Sequence, residues 1–236
     1  MNPLNAISPI DGRYSAITSE LQDYFSEGAL IKYRIKVEIE YFISLCEFDL
    51  PQLKNFNKRN FSKLREIYSD FNMKEARSVK LIEKKTNHDV KAVEYFIKQK
   101  FNDLNIGEYS EFIHFGLTSQ DINNTAIPLI LKDILQEVYF DKIDNILKAL
   151  DDKINKWKNI PMLSRTHGQA ASPTKLGKEI NVFKVRIHEQ LSLLKKIPIS
   201  AKFGGATGNF NAHIVAYGKY NWLKFSKKFI EEKLHL

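Results

Sequence analysis

One short run of polar residues in the middle of the chain has side chains suited to acid–base chemistry. Residues 164–169 read Ser-Arg-Thr-His-Gly-Gln and lie between two prolines, which predicts a loop between two helices. His167 can supply or take a proton near neutral pH. Thr166 and Gln169 can hydrogen-bond an anionic ligand, and Gly168 lets a second backbone approach closely. The run is a candidate catalytic loop, although its six residues alone equally allow an ordinary loop histidine.

A second histidine lies at the predicted start of a helix. His88 belongs to the run Thr-Asn-His-Asp, in which Asn87 and Asp89 are residue types that cap helix N-termini. The free N–H groups of such a terminus attract anions, and its dipole disfavours a protonated imidazole. His88 is therefore a candidate site residue. Ordinary capping, with the histidine as a bystander, is the alternative.

Two further turns carry side chains that suit anionic ligands. Thr118 and Ser119 precede a long apolar pattern and are followed by an acidic residue, which is typical of a helix cap. Arg13 and Tyr14 follow a turn rich in proline, aspartate and glycine. An arginine can bind phosphate through two hydrogen bonds, and a tyrosine can add a hydroxyl or a ring face. The alternatives are a plain helix cap and a plain surface turn.

Long helical patterns account for most of the chain and must position these turns. Apolar residues recur with helical spacing over about residues 26–48, 58–71, 74–84, 90–101, 118–157, 173–194 and 221–233. The first pattern is apolar over so much of its surface that it should lie at the centre of its domain. The fifth contains Pro128, which should kink or distort the helix. It exceeds ~50 Å at about 1.5 Å per residue, which suits a bundle shared between subunits.

Composition limits the class of protein. The chain has 236 residues, of which 43% are hydrophobic and 27% charged, as in globular proteins. A single cysteine, Cys46, excludes an intrachain disulfide framework and favours the cytoplasm. We expect no membrane span and no secretory signal, because the required apolar segments are missing. The net charge of +8 favours a small, multiply charged anion over nucleic acid, because the lysines are scattered through helical patterns.

Five segments together resemble the fumarase/aspartase superfamily of β-eliminating lyases. They are SPIDGRY at residues 8–14, KTNHDVKAVEY at 85–95, EFIHFGLTSQDINN at 111–124, LSRTHGQA at 163–170 and GGATGNFNAH at 204–213. Each is weak alone, but their order is specific, and the resemblance covers the whole chain. The first two favour the branch that cleaves adenylosuccinate over fumarase, aspartase and argininosuccinate lyase.

The resemblance implies an all-α fold with a particular division. A small helical N-terminal domain would cover residues 1–110, and the first part of a central long-helix bundle would cover residues 111–236. Four identical subunits would pool their helices, and loops from three of them would form each active site. The resemblance implies no metal and no organic cofactor.

The resemblance also implies a reaction in purine nucleotide biosynthesis. Adenylosuccinate would be split into AMP and fumarate, and the succinyl-carboxamide ribotide would be split likewise. A base would remove a proton next to a carboxylate to give an aci-carboxylate carbanion, and an acid would protonate the leaving nitrogen.

Matching motifs imply roles for individual residues. His167 would be the general acid, and His88 with Asp89 would orient the substrate and help set the charge of His167. Thr118, Ser119 and Thr166 would hold the succinyl carboxylates. The substrate-binding residues implied in full are Arg13, Tyr14, Asn87, Asp89, Thr118, Ser119, Thr166 and Gln169, with Asn209 a weaker candidate.

The sequence departs from the superfamily in one respect that bears on activity. The signature loop Gly-Ser-Ser-x-Met-Pro-x-Lys-x-Asn, whose serine is usually the general base, is absent. Members are typically about twice this length, so the chain matches an N-terminal half without the C-terminal domain. Loss of the base should reduce turnover by several orders of magnitude. A non-catalytic helical oligomerising fragment, another lyase such as argininosuccinate lyase, and a basic nucleic-acid-binding protein are the alternatives.

Overall fold

Helices make up most of the chain, as predicted. The computed structural model describes residues 6–236. Its α-helices are α1 (Gln22–Phe25), α2 (Glu27–Glu47), α3 (Phe61–Ser69), α4 (Met73–Thr86), α5 (Asp89–Asp103), α6 (Ser119–Ile134), α7 (Phe140–Trp157), α8 (Leu176–Leu194), α9 (Asn211–Ala216) and α10 (Trp222–Lys227). Short 3-10 turns occupy Ser19–Leu21, Pro51–Leu53, Lys58–Asn60 and Gly107–Phe112, and π turns occupy Leu135–Tyr139 and Lys228–Lys233. The all-α fold class is confirmed.

The chain divides into two compact units. The first unit comprises Met1–Lys132 and Ile199–Leu236, and the second comprises Asp133–Pro198. The boundary expected between residues 110 and 111 stays a prediction, since the division by compactness falls at other points.

Helix α2 forms the centre of the first unit. Its side chains are buried around almost the whole helix between Ile31 and Cys46, as its apolar pattern predicts. Helices α3, α4 and α5 all contact it, and so does the π turn near the end of the chain. Full burial of each large apolar side chain contributes about 1.5–3 kcal/mol relative to exposure. Residues near the end of the chain therefore complete the hydrophobic core that forms around α2.

Local sequence signals explain where these helices begin. The Ser26 hydroxyl accepts the N–H of Ala29 at 3.1 Å at the start of α2. Asn72 and Glu75 form a reciprocal capping box at the start of α4. Such caps satisfy N–H groups that the first helical turn leaves without partners.

An aromatic cluster encloses a buried histidine beside α2. Tyr41 donates its hydroxyl proton to the Phe115 carbonyl at 2.7 Å and lies 2.8 Å from Nε2 of His213. Nε2 of His213 is therefore the donor, and Nδ1 has no hydrogen-bond partner among the described residues. Burial lowers the pKa of His213 to about 4. A Cβ at Gly116 would lie 2.7 Å from the His213 ring, so glycine allows this close contact.

Helix α6 continues through its internal proline. Pro128 has no N–H to donate to the Asn124 carbonyl, four residues earlier in the helix. The backbone N–H of Lys202 donates to that carbonyl instead, at 3.2 Å. The helical residues run on without a gap through the π turn and α7 to Trp157, which confirms the helix predicted over residues 118–157.

The second unit is a helical hairpin joined by two strands. Asp151 of α7 lies 2.6 Å from the Lys184 ammonium of α8, and Ile143 shares a cavity with Leu194, so the helices are antiparallel. A Cβ at Gly177 would lie 2.8 Å from backbone atoms of α7, so glycine permits this approach. The antiparallel arrangement expected from the sequence is confirmed.

The connection between α7 and α8 differs from the expected loop. Strands β1 (Pro161–Thr166) and β2 (Gln169–Lys175) pair antiparallel, with an irregularity between Leu163 and Arg165. The prediction that a helix begins at residues 172–173 is wrong, since β2 continues through them. A Ser-Pro pair predicts a helix start, but proline is also tolerated on an edge strand, and both strands of a hairpin have a free edge.

Candidate active site

His88 is held at the N-terminus of α5 by its own side chain. Nδ1 of His88 accepts the backbone N–H of Lys91 at 3.1 Å, so the ring proton of the neutral imidazole lies on Nε2. Nε2 lies 3.3 Å from the hydroxyl oxygen of Ser119 and donates to it. Asn87 ends α4 with a φ of +52°, a conformation that asparagine tolerates. The predicted helix start is confirmed, but the capping residue is His88 itself rather than Asn87 or Asp89. This cap places the imidazole against a second predicted site residue.

Asp89 is fixed by a buried arginine. Nη2 of Arg34 lies 2.7 Å from Oδ2 of Asp89, and Nε of Arg34 donates to Oδ1 of Asn123 at 2.9 Å. Burial acts to raise the pKa of Asp89, but the Val90 N–H and the Arg34 guanidinium outweigh it and hold that pKa below its usual value. Arg34 therefore links α2 to the N-terminal turns of α5 and α6.

Thr118 and Ser119 form the first turn of α6. The backbone N–H of Thr118 donates to Oδ2 of Asp121 at 2.8 Å, which is the expected capping contact. Both hydroxyl-bearing residues line a cavity of about 290 Å³ together with His88. The cavity receives the N-terminal ends of two helices, α5 and α6, whose dipoles favour an anion.

The same cavity contains residues outside the set of predicted site residues. Besides His88, Thr118 and Ser119, its lining residues are Val90, Lys91, Glu94, His114 and Leu117. Nδ1 of His114 lies 2.5 Å from Oε1 of the buried Glu38. Burial acts to lower the pKa of His114, but the Glu38 carboxylate outweighs it and raises that pKa. The Glu38 carboxylate thus favours the protonated form of this ring, which lies at the wall of the cavity.

A sequence signal for His114 was available. His114 interrupts the apolar run between Ile113 and Phe115, just before the predicted cap at Thr118. Its backbone has a φ of +58°, and its N–H donates to Glu38 at 3.1 Å. The partner on α2 lies 76 residues earlier, so sequence spacing alone could not connect the two.

Lys91 and Glu94 form an ion pair at the cavity wall. The Lys91 ammonium lies 2.8 Å from Oε2 of Glu94, and the Lys98 ammonium lies 3.2 Å from Oε1. Burial acts to raise the pKa of Glu94, but the two lysines outweigh it and lower that pKa. Glu94 is therefore an ionised, fully paired acid rather than a free base.

Arg13 and Tyr14 lie at an exposed turn of the first unit. The Arg13 guanidinium carbon is 5.5 Å from the centre of the Tyr14 ring, within the range of a cation–π contact. Neither residue lines the 290 Å³ cavity. The structure therefore pairs them with each other as the sequence predicts, without joining them to His88.

His167 lies at the tip of the β-hairpin in the second unit. His167 and Gly168 have φ values of +49° and +74°, and Thr166 pairs with Gln169 across the turn. Two consecutive positive φ values match the type I′ turn that tight hairpins favour. The turn exposes the side chains of Thr166, His167 and Gln169.

Comparison with known proteins gives the chain a family. A family model described as a lyase matches residues 12–233. The chain belongs to this lyase family. Among curated proteins, it is 52% identical to adenylosuccinate lyase of Dictyostelium discoideum, over 98% of this chain and 51% of that protein. It is 39% identical to adenylosuccinate lyase of Escherichia coli (strain K12), with the same coverage of 98% and 51%.

Solved structures agree on the fold. A fumarate lyase from Mesorhizobium sp. BNC1 superposes with a TM-score of 0.73 at 19% identity, over 92% of this chain and 48% of that one. The chain spans about half the length of the curated relatives it matches. No helix among residues 6–236 is both long and apolar enough to cross a membrane. The resemblance to the fumarase/aspartase superfamily is confirmed.

Proposed function

We propose that this chain carries part of the active site of a lyase that eliminates fumarate from adenylosuccinate to give AMP. The cleavage of the succinyl-carboxamide ribotide by the same site belongs to the proposal. The observation that carries it is the cavity where two helix N-termini, the Ser119 hydroxyl and the His114 ring meet. Similarity to adenylosuccinate lyases over nearly the whole chain supports the choice of substrate.

The cavity suits the carboxylates of a succinyl group. Thr118 and Ser119 would donate hydroxyl hydrogen bonds, and the N-terminus of α6 would stabilise the charge that grows on a carboxylate as its neighbouring carbon loses a proton. His114, whose protonated form the Glu38 carboxylate favours, lines the same cavity. His88 donates to Ser119, so the Ser119 hydroxyl proton is free to point at the ligand.

His167 is the proposed general acid for the leaving nitrogen. An exposed histidine on a type I′ turn can reach a ligand held by another loop or another subunit. Thr166 and Gln169 would add hydrogen bonds beside it. Arg13 and Tyr14 would contact the nucleotide phosphate, and Asn87 and Asp89 would orient the substrate near His88.

A homotetramer in the cytoplasm is part of the same proposal. The second unit leaves several large apolar side chains exposed, which a shared helical bundle would cover. These side chains are Tyr139, Ile146, Val182, Phe183, Val185 and Leu193. The single thiol, Cys46, is buried, and burial raises its pKa to about 12, so it stays protonated and poorly reactive.

A binding measurement tests the proposed site without requiring the missing serine loop. Fumarate should bind the folded chain in isothermal titration calorimetry, and Ser119→Ala should weaken binding about tenfold by removing a hydrogen bond to a charged ligand. Ser192→Ala is the matched control, because its hydroxyl donates to the His188 carbonyl within α8. Equal affinities of the two variants would contradict the proposal.

Turnover tests the acid separately from the binding pocket. The isolated chain should split adenylosuccinate at a rate several orders of magnitude below that of a complete enzyme, since the signature serine is absent. Any measurable ultraviolet change should vanish in His167→Ala. Residual turnover that survives His167→Ala would assign the acid to another residue.

A non-catalytic role in assembly is the second candidate, and the exposed apolar face of the second unit favours it. It predicts oligomers that form without binding fumarate. Adenylosuccinate turnover by the unassisted chain would dismiss it.

A further inference from the structure

A buried carboxylate lies directly behind the turn that presents Thr118 and Ser119. The Asp121 residue is 0% exposed. Its Oδ2 accepts the N–H of Thr118 at 2.8 Å and the N–H of Gly205 at 2.9 Å. Its Oδ1 lies 2.8 Å from the Lys202 ammonium. We call Thr118, Asp121, Lys202 and Gly205 the Asp121 cluster.

The Asp121 cluster joins two segments that are distant in the sequence. Gly205 lies 84 residues after Asp121, in the segment GGATGNFNAH at residues 204–213, which we call the glycine-rich loop. The Lys202 ammonium also donates to the Gly205 carbonyl. The N–H of Lys202 occupies the Asn124 carbonyl that Pro128 leaves without a helical donor. Side-chain and backbone contacts of Lys202 thus fasten the loop to the first turns of α6.

The cluster has more contacts than a helix cap requires. An ordinary capping carboxylate satisfies one or two N–H groups and stays in contact with water. Asp121 is removed from water and balanced by a lysine, an arrangement whose desolvation cost offsets much of its attraction. Such a pair adds little net stability. When every partner is satisfied, it instead holds the surrounding backbone in one geometry.

We propose that Asp121 and Lys202 are positioning residues for the anion cavity. They act through the backbone of Thr118 and fix the hydroxyls of Thr118 and Ser119 relative to His88 and the cavity. Without the charge on Asp121, the first turn of α6 and the glycine-rich loop would separate. The Ser119 oxygen would then leave its 3.3 Å contact with His88. The ligand assigned to the cavity rests on the proposed function, but the positioning of Ser119 does not.

Two variants test the Asp121 cluster, and one buried neighbour serves as the control. Asp121→Asn keeps the shape but turns an amide NH2 toward the Lys202 ammonium, and Lys202→Met removes the ammonium alone. Thr125→Val is the control: Thr125 is also 0% exposed, and its hydroxyl donates to the Asp121 backbone carbonyl at 2.7 Å rather than to the Asp121 carboxylate. Circular dichroism selects variants that keep the helical content.

The first readout is the ring-nitrogen NMR signature of His88, which reports the Nε2–H tautomer and its hydrogen bond to Ser119. We expect Asp121→Asn and Lys202→Met to change it, and Thr125→Val to leave it unchanged even if its melting temperature falls as far. The second readout is fumarate affinity, which should fall about tenfold in both cluster variants. Lys202→Arg should restore part of both readouts.

Each result decides between separate claims. An unchanged His88 signature in a folded Lys202→Met variant overturns the positioning role, and so does an equal change in Thr125→Val. If Asp121→Asn does not fold, Lys202→Met and Lys202→Arg still decide. If the unaltered chain does not bind fumarate, the proposed function loses its support, while the His88 signature continues to test the Asp121 cluster.

Discussion

The two units of the chain cover their apolar side chains to very different extents. In the first unit, Ile35, Ile39 and Phe42 of α2 are all 0% exposed. In the second unit, α7 has no buried residue, and Phe183 of α8 is 58% exposed. Both units are helical with apolar stripes, so the difference lies in whether the chain supplies the covering surface. An apolar helical stripe that stays exposed needs another surface to cover it.

This contrast relates stability to function. The unit that fills its own core also holds the cavity with His88 and Ser119, so that part of the site is fixed within one chain. The unit with the open stripe carries His167 on its hairpin. If the second unit is covered by other copies, as we propose, the position of His167, the proposed acid, depends on assembly, while the cavity with His88 and Ser119 does not.

The largest expected effect is a core truncation in the first unit. Phe42 packs edge-on against Phe56 and Phe101, so Phe42→Ala should lower the free energy of unfolding by about 4 kcal/mol. Phe183→Ala should cost less than about 1 kcal/mol, because its ring is already mostly in water. Urea unfolding at low protein concentration measures both. A loss at Phe183 as large as that at Phe42 would show that the second unit is covered in the isolated chain.

A pH-dependent loss of stability should originate in the first unit. The folded state lowers the pKa of His213 from about 6.5 to about 4, so folding favours the neutral ring. The contribution is complete above pH ~6.5 and is lost as pH falls toward 4, a change of about 3 kcal/mol. His213→Phe should flatten this part of the profile of unfolding free energy against pH, measured in urea.

His114 should act in the opposite direction in the same experiment. Its folded pKa is raised, so its contribution is complete below the unfolded pKa and is lost as pH rises through the folded one. His114→Gln should therefore keep the fall in unfolding free energy at acid pH and remove the fall at alkaline pH. If the unfolding free energy of His213→Phe still falls between pH ~6.5 and 4, the loss at acid pH belongs to groups other than His213.

Sequence patterns predicted the helices of both units better than the contacts between residues distant in the sequence. The apolar periodicity of α2 and the helix start near His88 were predicted correctly, because each depends on neighbouring residues. The capping residue itself was not, since it is His88 rather than Asn87 or Asp89. The hairpin at residues 161–175 was missed, because its Ser-Pro pair is also a helix-start signal. The Glu38–His114 and Asp121–Gly205 contacts join residues 76 and 84 positions apart, which no local spacing reveals.

A glycine pair in the second unit separates packing from backbone strain. At Gly177 a Cβ would lie 2.8 Å from backbone atoms of α7, so Gly177→Ala should push the two helices apart and cost about 2 kcal/mol. At Gly168 nothing lies within 4 Å, and only the φ of +74° opposes a side chain. Gly168→Ala should therefore cost about 1 kcal/mol. Thermal unfolding ranks the two, and the reverse order would mean that α7 and α8 pack more loosely than described.

The smallest expected effect is the loss of the ion pair between the same two helices. Lys184 and Asp151 lie 2.6 Å apart, but their side chains keep 31% and 44% of their exposure, so water screens the pair. Lys184→Ala should lower the unfolding free energy by about 0.5 kcal/mol, and by less in high salt. A much larger, salt-insensitive loss would show that the pair is shielded from water by something covering the hairpin. That result would break the contrast between a filled unit and an open one.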